Sequence, residues 1–251
     1  MPGFPGVGVG KNKNYCLKSG YKFRHFVECM KILRGIGRMS IFVFQRPFRM
    51  KSVLQEYIEG FDQVFPLQKD LMPWEITRDL TTILSGMIAR LGSDFQIENG
   101  VAIHRSATIE SGVVLKGPII VHEHCFIGAH AYLRSGVYLG SRVTIGPGCE
   151  LKSSIVLDHS AAAHFNFIGD SILGRCVNLE AGSILANHYN ERTDKQIRVL
   201  VKNAIVETRS EKFGALVGDR CRIGANAVLS PGTLLNPDAI VKRLELVEQV
   251  K

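Results

Sequence analysis

The sequence predicts an all-β fold, a solenoid of six-residue repeats preceded by a short helical segment, and three observations carry that reading. Stepping by six from Ile103 gives Ile109, Leu115, Val121, Ile127, Leu133, Leu139, Ile145, Leu151 and Leu157, all aliphatic. Four places after each stands a residue that is nearly always small or β-branched: Ala107, Val113, Ile119, Cys125, Ala131, Val137, Val143, Cys149, Ile155 and Ala161. Before the repeat, residues 51 to 95 carry apolar positions at helical spacing instead.

A period of six cannot be an amphipathic helix, whose apolar positions recur near 3.6. A generic β-sandwich would space its strands about 8–12 residues apart, with varied turns. Period six means short strands separated by bends. One such unit buries nothing alone, so the units must coil, stack and pair their backbones between coils. After residue 161 the phase slips, then resumes through Leu173, Leu179 and Leu185, and again through Val217, Ile223, Leu229, Leu235 and Val241. Cys125, Cys149 and Cys221 fall at small inward positions, where a thiol acts as a compact apolar group. The pattern resembles the left-handed parallel β-helix of hexapeptide-repeat transferases. That resemblance implies the handedness and a triangular coil built from three of the units.

The remaining organisation follows from the breaks in the pattern. Residues 51–98 read as a helical cap and linker, with one helix in KSVLQEYIEGFDQVF and a second over Trp74 to Leu91 that opens at Pro73. They are expected to cap the first coil, which would otherwise expose an unpaired edge. Residues 99–241 form the β-helix, interrupted at 187–213 by a stretch that breaks the repeat and is expected to protrude as a loop. The coil is expected to stop near Val241, leaving 242–251 as a tail.

The formal charge of +8 invites a polyanion partner until it is located. Residues 1–50 hold ten Lys and Arg against Glu28 alone, so the excess sits in that stretch and the rest is nearly neutral. A nucleic-acid surface across the whole protein is therefore not expected. The stretch opens MPGFPGVGVGKNKN and reads as a poorly ordered extension. It is open to three readings: a targeting peptide, a basic arm, or sequence upstream of a start at Met39 or Met50. It lacks a signal-peptide layout, and no segment is long enough to span a bilayer. GVGVGK fails as a phosphate loop because Pro5 stands where the first Gly belongs and Asn12 follows Lys11. Six cysteines without metal-ligand spacing suit a reduced, cytoplasmic chain.

With three units per coil, Lys116, Arg134 and Lys152 stack along one edge, about 4.8 Å apart. Three stacked cations repel unless an anion or carboxylates offset them. A bound phosphate would do so, and so would outward pairing with neighbours such as Glu150. His122, His124 and His130 raise a zinc reading, but no supporting ligand pattern accompanies them. His164 stands out because the repeat slips beside it, which implies a distortion of the coil there, and distorted positions in a regular scaffold mark functional sites.

The segment HFNFIGDSILGRCVNLEAGSILAN, residues 164–187, is similar to the acetyltransferase motif of the bifunctional N-acetylglucosamine-1-phosphate uridyltransferases and the archaeal-type sugar-1-phosphate nucleotidylyltransferase/acetyltransferases. The similarity extends through LRSG (133–136), CELKSSIV (149–156) and KFGALVGDRCRIGANAVLSPGT (212–233). It implies that His164 is the general base taking a proton from a sugar amine as that amine attacks the acetyl-CoA thioester; an imidazole suits the task because it changes charge near neutral pH. By the same resemblance Arg134 and Lys152 bind the sugar phosphate, and Phe167, Asn178 and Asn187 bind or shape the acceptor pocket. Ala181 and Ala225 lie where the donor runs.

Four departures weigh on that reading. Phe167 replaces a Tyr. Glu180 replaces a Gly beside the donor groove, adding bulk and negative charge near anionic CoA. His188 and Tyr189 replace a Tyr-Asp-Gly turn, and donor-binding turns further on are missing. No nucleotidyltransferase domain is present in the sequence.

Because His164 follows Lys152 by two repeat units, it belongs to a different face, and one chain would struggle to present both to one small substrate. Packing prisms about a threefold axis solves this. The expectation is a cytoplasmic homotrimer that acetylates glucosamine-1-phosphate or a related amino-sugar phosphate, in UDP-N-acetylglucosamine biosynthesis, with acetyl-CoA as donor and no metal. The alternatives are an acyltransferase acting on a nucleotide-linked sugar or using a longer donor, and a non-catalytic trimeric scaffold.

Overall fold

The computed structural model describes residues 53–250; the basic extension expected at 1–50 lies outside them. The chain forms a left-handed parallel β-helix of about eight turns. Three faces recur in every coil. The first begins with Val101–His104 and Ile119–Val121, the second with Thr108–Ile109 and Phe126–Ile127, and the third with Val114–Lys116. Strands Tyr132–Leu139 and Glu150–Val156 bend from the third face into the first, so these two faces share one sheet. The second face is a separate seven-stranded sheet ending at Ile240–Val241.

Inward side chains stack in register. On the first face they run Ile103, Val121, Leu139, Val156, Leu173, Val217 and Leu235. These belong to one continuous core with the aliphatics of the other two faces and with Cys125, Cys149 and Cys221. Burial pushes the Cys125 and Cys221 thiols up to about 11, so they stay neutral inside the prism.

The structure moves the phase slip. Lys116 pairs with Arg134 and Arg134 with Lys152, a full coil on each time, but Lys152 pairs with Gly169, so the coil between them is one residue short. The missing residue lies at a corner: Ser135 and Gly136 separate the two faces in one coil, and Ser153 alone separates them in the next. Val156 therefore takes the inward place expected for Leu157, and Ser160 the one expected for Ala161, while Ile155 and Leu157 turn outward. Buried serines make the short corner possible. Ser154 Oγ donates to Lys152 O at 2.8 Å and accepts the Ser171 N–H at 3.1 Å. Ser171 Oγ donates to Gly169 O at 2.7 Å and accepts the Ala215 N–H at 2.9 Å. These hydroxyls satisfy backbone groups that the shifted ladder would strand.

The helices do not cap the first coil. The first expected helix is two short ones, α1 (Val53–Tyr57) and α2 (Phe61–Val64), separated at Gly60, whose φ of 65° is left-handed. Helix α3 (Pro73–Ile88) opens at Pro73, and Glu75 Oε2 accepts the Met72 N–H at 2.8 Å. All three lie along the first face, because the outward residues there form an apolar column: Ile120, Tyr138, Ile155, Ile172, Leu216 and Leu234. Phe65, Trp74, Ile76, Leu80 and Leu84 pack with that column. The first coil is instead closed by Phe95–Glu98, antiparallel to Val101–His104. Asp219 ties the helices down, accepting the Glu59 N–H at 2.9 Å and the Arg175 N–H at 2.7 Å. Truncating the fully buried Leu80 to alanine is expected to cost about 2–5 kcal/mol in urea unfolding, as for a core residue; a cost under about 0.5 kcal/mol would mean the helices are loosely docked.

The segment 187–213 is more than a protruding loop. It carries an antiparallel hairpin, Arg198–Val201 with Ala204–Glu207, whose Val199 and Val201 join Ile197 and Phe213 in the helix-side cluster. Phe213 meets Trp74 edge-on at 5.8 Å. The coil also runs past Val241, since Leu246–Val247 pairs with Val228–Leu229. The Gln249 side chain then pairs with the Leu234 backbone through two 2.8 Å bonds, as a further strand would.

His122 sits between the rings of Phe95 and Tyr138, with Glu123, Asp158 and His104 facing it. Burial holds its pKa below the ordinary 6.5 despite the two carboxylates. As pH falls below that value the unfolded chain takes the proton first, so stability present above it is lost on acidification. The thermal midpoint is expected to drop below pH 6.5, less steeply in His122→Phe; equal slopes would remove His122 as the cause.

Candidate active site

His164 occupies the corner between the second and third faces, exposed to solvent. The corner is regular, so the distortion expected around this histidine is not there but at Ser153. In coil after coil the residue following this position has positive φ: Gly112, His130, Gly148, Phe165, Gly182, Asn226 and Leu244. Where a glycine precedes a bulkier residue in the next coil, the larger side chain folds over it. A Cβ on Gly148 would meet the Phe165 ring at 2.6 Å. Phe165 is consequently held 73% exposed beside His164.

Beneath His164 the same column continues through Ala181 and Ala225. Gly182 N–H donates to His164 O, Asn226 N–H to Ala181 O, and Leu244 N–H to Ala225 O. The structure thus aligns three of the expected site residues on one edge, with small side chains under the imidazole. Asn178 is near them, outward on the second face in the coil below Ala161 and above Arg222.

Glu180, two positions after Asn178, points into the same groove. Its carboxylate takes the Nε and Nη2 of Arg243, both at 2.7 Å, and its Oε2 also takes the Ala225 N–H at 2.9 Å. Arg243, before any other group, holds the Glu180 carboxyl below the usual carboxylate range. The repulsion expected between Glu180 and an anionic donor is therefore offset by a cation one coil beyond Ala225.

The other expected residues stand at the opposite edge of the third face. Arg134 Nε and Nη2 reach Glu150 Oε1 at 2.9 and 2.7 Å. Lys116 and Arg134 both lie over the Tyr132 ring, at 5.1 and 5.7 Å. Lys152 Nζ meets both oxygens of Asp170, at 2.9 and 2.7 Å, with the two side chains 15% and 7% exposed. Asn187 Nδ2 donates to the same carboxylate. The Phe167 ring lies against Gly169 beside Asn187. Carboxylates balance two of the three cations in the ladder, Arg134 and Lys152.

Gly169, at the far edge, is five positions after His164, on the order of 15 Å at about 3.3 Å per residue. One chain keeps the imidazole and the Arg134–Lys152 edge apart. Sequence reasoning missed Asp170, Arg243 and Phe165. The first two were within reach of the 18-residue spacing, since Asp170 follows Lys152, and Arg243 follows Ala225, by 18 residues, although the short coil puts Gly169 rather than Asp170 in register with Lys152. Phe165 gave no such signal. Among the described residues no three His, Cys, Asp or Glu side chains converge as a metal site, and no helix is long and apolar enough to cross a membrane.

Residues 115–209 match the family described as the GMPPB C-terminal domain, and residues 214–242 match the hexapeptide repeat of succinyl-transferase. The bifunctional sugar-1-phosphate nucleotidylyltransferase/acetyltransferase of Sulfurisphaera tokodaii is 30% identical over 64% of this chain and 41% of its own length. The bifunctional protein GlmU of Methanococcus maripaludis is 34% identical over 67% of this chain and 41% of its own. The resemblance is to the acetyltransferase part of these bifunctional proteins. The chain covers about two fifths of their length. Among solved structures, a hexapeptide transferase family protein from Anaplasma phagocytophilum aligns with a TM-score of 0.42 at 21% identity, over 56% of this chain and 72% of its own.

Proposed function

We propose that this chain is an acyltransferase that moves the acetyl group of acetyl-CoA onto the amine of glucosamine-1-phosphate or a related amino-sugar phosphate, feeding UDP-N-acetylglucosamine synthesis in the cytoplasm. The observation that carries the reading is the edge column of His164 over Ala181 and Ala225: an exposed imidazole with an open run of small residues beneath it. The names of the matched relatives support the reaction class.

In this reading the donor lies along the alanine column with its thioester at His164. The imidazole takes a proton from the amine as nitrogen attacks the carbonyl carbon. The C–N bond forms, the C–S bond breaks, and the thiolate leaves to be protonated. A thioester needs little activation, so positioning supplies most of the remaining barrier reduction. Arg134 takes the sugar phosphate by exchanging Glu150 for it and Lys152 adds its charge while keeping Asp170, and Phe167, Asn178 and Asn187 shape the acceptor pocket.

The separation of the two edges favours a homotrimer, in which the His164 edge of one copy meets the Arg134–Lys152 edge of another. The first face is filled by the chain's own helices and hairpin, and among the described residues no helix or hairpin joins the core of the other two. On the third face Val114, Tyr132, Phe167, Ile184, Val228 and Leu246 form an outward stripe interrupted only by Glu150. Thiol release from acetyl-CoA with glucosamine-1-phosphate tests the reaction, and absence of release from the wild-type trimer would remove it.

A second reading, a non-catalytic trimeric scaffold, is favoured by one observation. The Ala225 N–H is already taken by Glu180, and Arg134 and Lys152 are already paired. The same assay separates the two.

A further inference from the structure

At the C-terminal end of the second face lies a groove of about 490 Å³, lined among others by Asn178, Glu180, Arg222, Ile240, Lys242 and Arg243. Three cations and one carboxylate line it, with the Asp238 carboxylate near Arg222. Among the described residues Arg222 and Lys242 form no ion pair, and Arg243 has only Glu180. Arg222 lies below Asn178 in the next coil and Ile240 below Arg222, so the groove runs across the coils beside the His164 edge. Glu180 closes the groove at the end nearest that edge, immediately before Ala181. Its two oxygens occupy Arg243 and the Ala225 N–H together. A carboxylate that collects a guanidinium fork and a backbone N–H does what one edge of a phosphate would do at the same donors.

We propose that Glu180 is an internal stand-in for phosphate, a latch that holds Arg243 and the Ala225 N–H until a phosphate-bearing ligand displaces it into solvent. The groove takes phosphate or pyrophosphate esters of small molecules, and Glu180 sets how much anionic charge a ligand needs to enter. With Glu180 displaced, Arg222, Lys242 and Arg243 together favour a di- or trianion over a monoanion. Glu180 touches no reacting atom here; it determines specificity and access. That the displacing ligand is the acyl donor rests on the function proposed above, whereas the latch itself does not.

Titration calorimetry of the full chain with inorganic pyrophosphate, CoA and glucosamine-1-phosphate tests this. Glu180→Gln keeps the shape and the acceptor for Ala225 while removing the charge. It is expected to tighten pyrophosphate binding about tenfold, and Arg243→Met to weaken it about tenfold. Adding His164→Ala should leave both changes in place. Tightening of CoA but not of glucosamine-1-phosphate identifies the donor as the ligand; the reverse identifies the acceptor. Equal or weaker pyrophosphate binding by Glu180→Gln, with an unchanged thermal midpoint, overturns the latch. If acyl transfer is never found but Glu180→Gln still binds pyrophosphate more tightly, the latch stands and only the function falls.

Discussion

Exchange of His164 for alanine is expected to slow acyl transfer about 10²–10⁴-fold, the range for losing a positioned general base. The apparent KM for acetyl-CoA should change little, because the small residues and backbone beneath the imidazole remain. Folding should be untouched: the His164 side chain is exposed, and its backbone oxygen, which alanine keeps, accepts the Gly182 N–H. The check is thiol release from acetyl-CoA at saturating amino-sugar phosphate, with the thermal midpoint measured on the same samples. A variant that folds normally and keeps its rate within about threefold would remove His164 from the chemistry. It would leave the scaffold reading as the better account.

Exchange of Lys152 for alanine is expected to cost about 3–5 kcal/mol of folding free energy, apart from any effect on substrate. Asp170 is nearly buried, and Lys152 supplies two of its close contacts, at 2.9 and 2.7 Å. Without the ammonium the carboxylate keeps the Asn187 amide but loses its counter-charge. A double variant, Lys152→Met with Asp170→Asn, should recover most of the loss, because it removes both charges together. Urea unfolding of the two variants decides the matter. If the single exchange leaves stability unchanged while raising KM for the sugar phosphate, Lys152 serves substrate alone and the pair with Asp170 is incidental.

These two residues illustrate how far the chain speaks before folding. Lys152 stands out by its one-coil spacing, and the ladder pairs Lys116, Arg134 and Lys152 in that register. The same spacing could not say what the ammonium would touch. Asp170 reaches it across a coil that has already lost a residue at Ser153, a loss that step-by-six counting places beyond residue 161. Leu151 and Leu157 are both aliphatic and a repeat apart, so periodicity carries no warning that Val156 takes the inward place. His164 is nominated by a distortion that is not at its corner, yet it stands over the two alanines that the family resemblance groups with it.

The architecture was legible in the repeat alone, because one large and one small inward residue per six positions leaves stacked coils as the way to bury them. So were the stacking columns, since side chains one coil apart must be neighbours. Where the helices dock was not. Their apolar sides could satisfy any exposed hydrophobic surface, and the outward column from Ile120 to Leu234 prevails over the coil end, which Phe95–Glu98 closes by strand pairing. Charge pairing also waits for the folded chain. Glu150, Asp170 and Glu180 find their cations between coils, at separations set by register, and a one-residue corner changes that register without changing the composition at all.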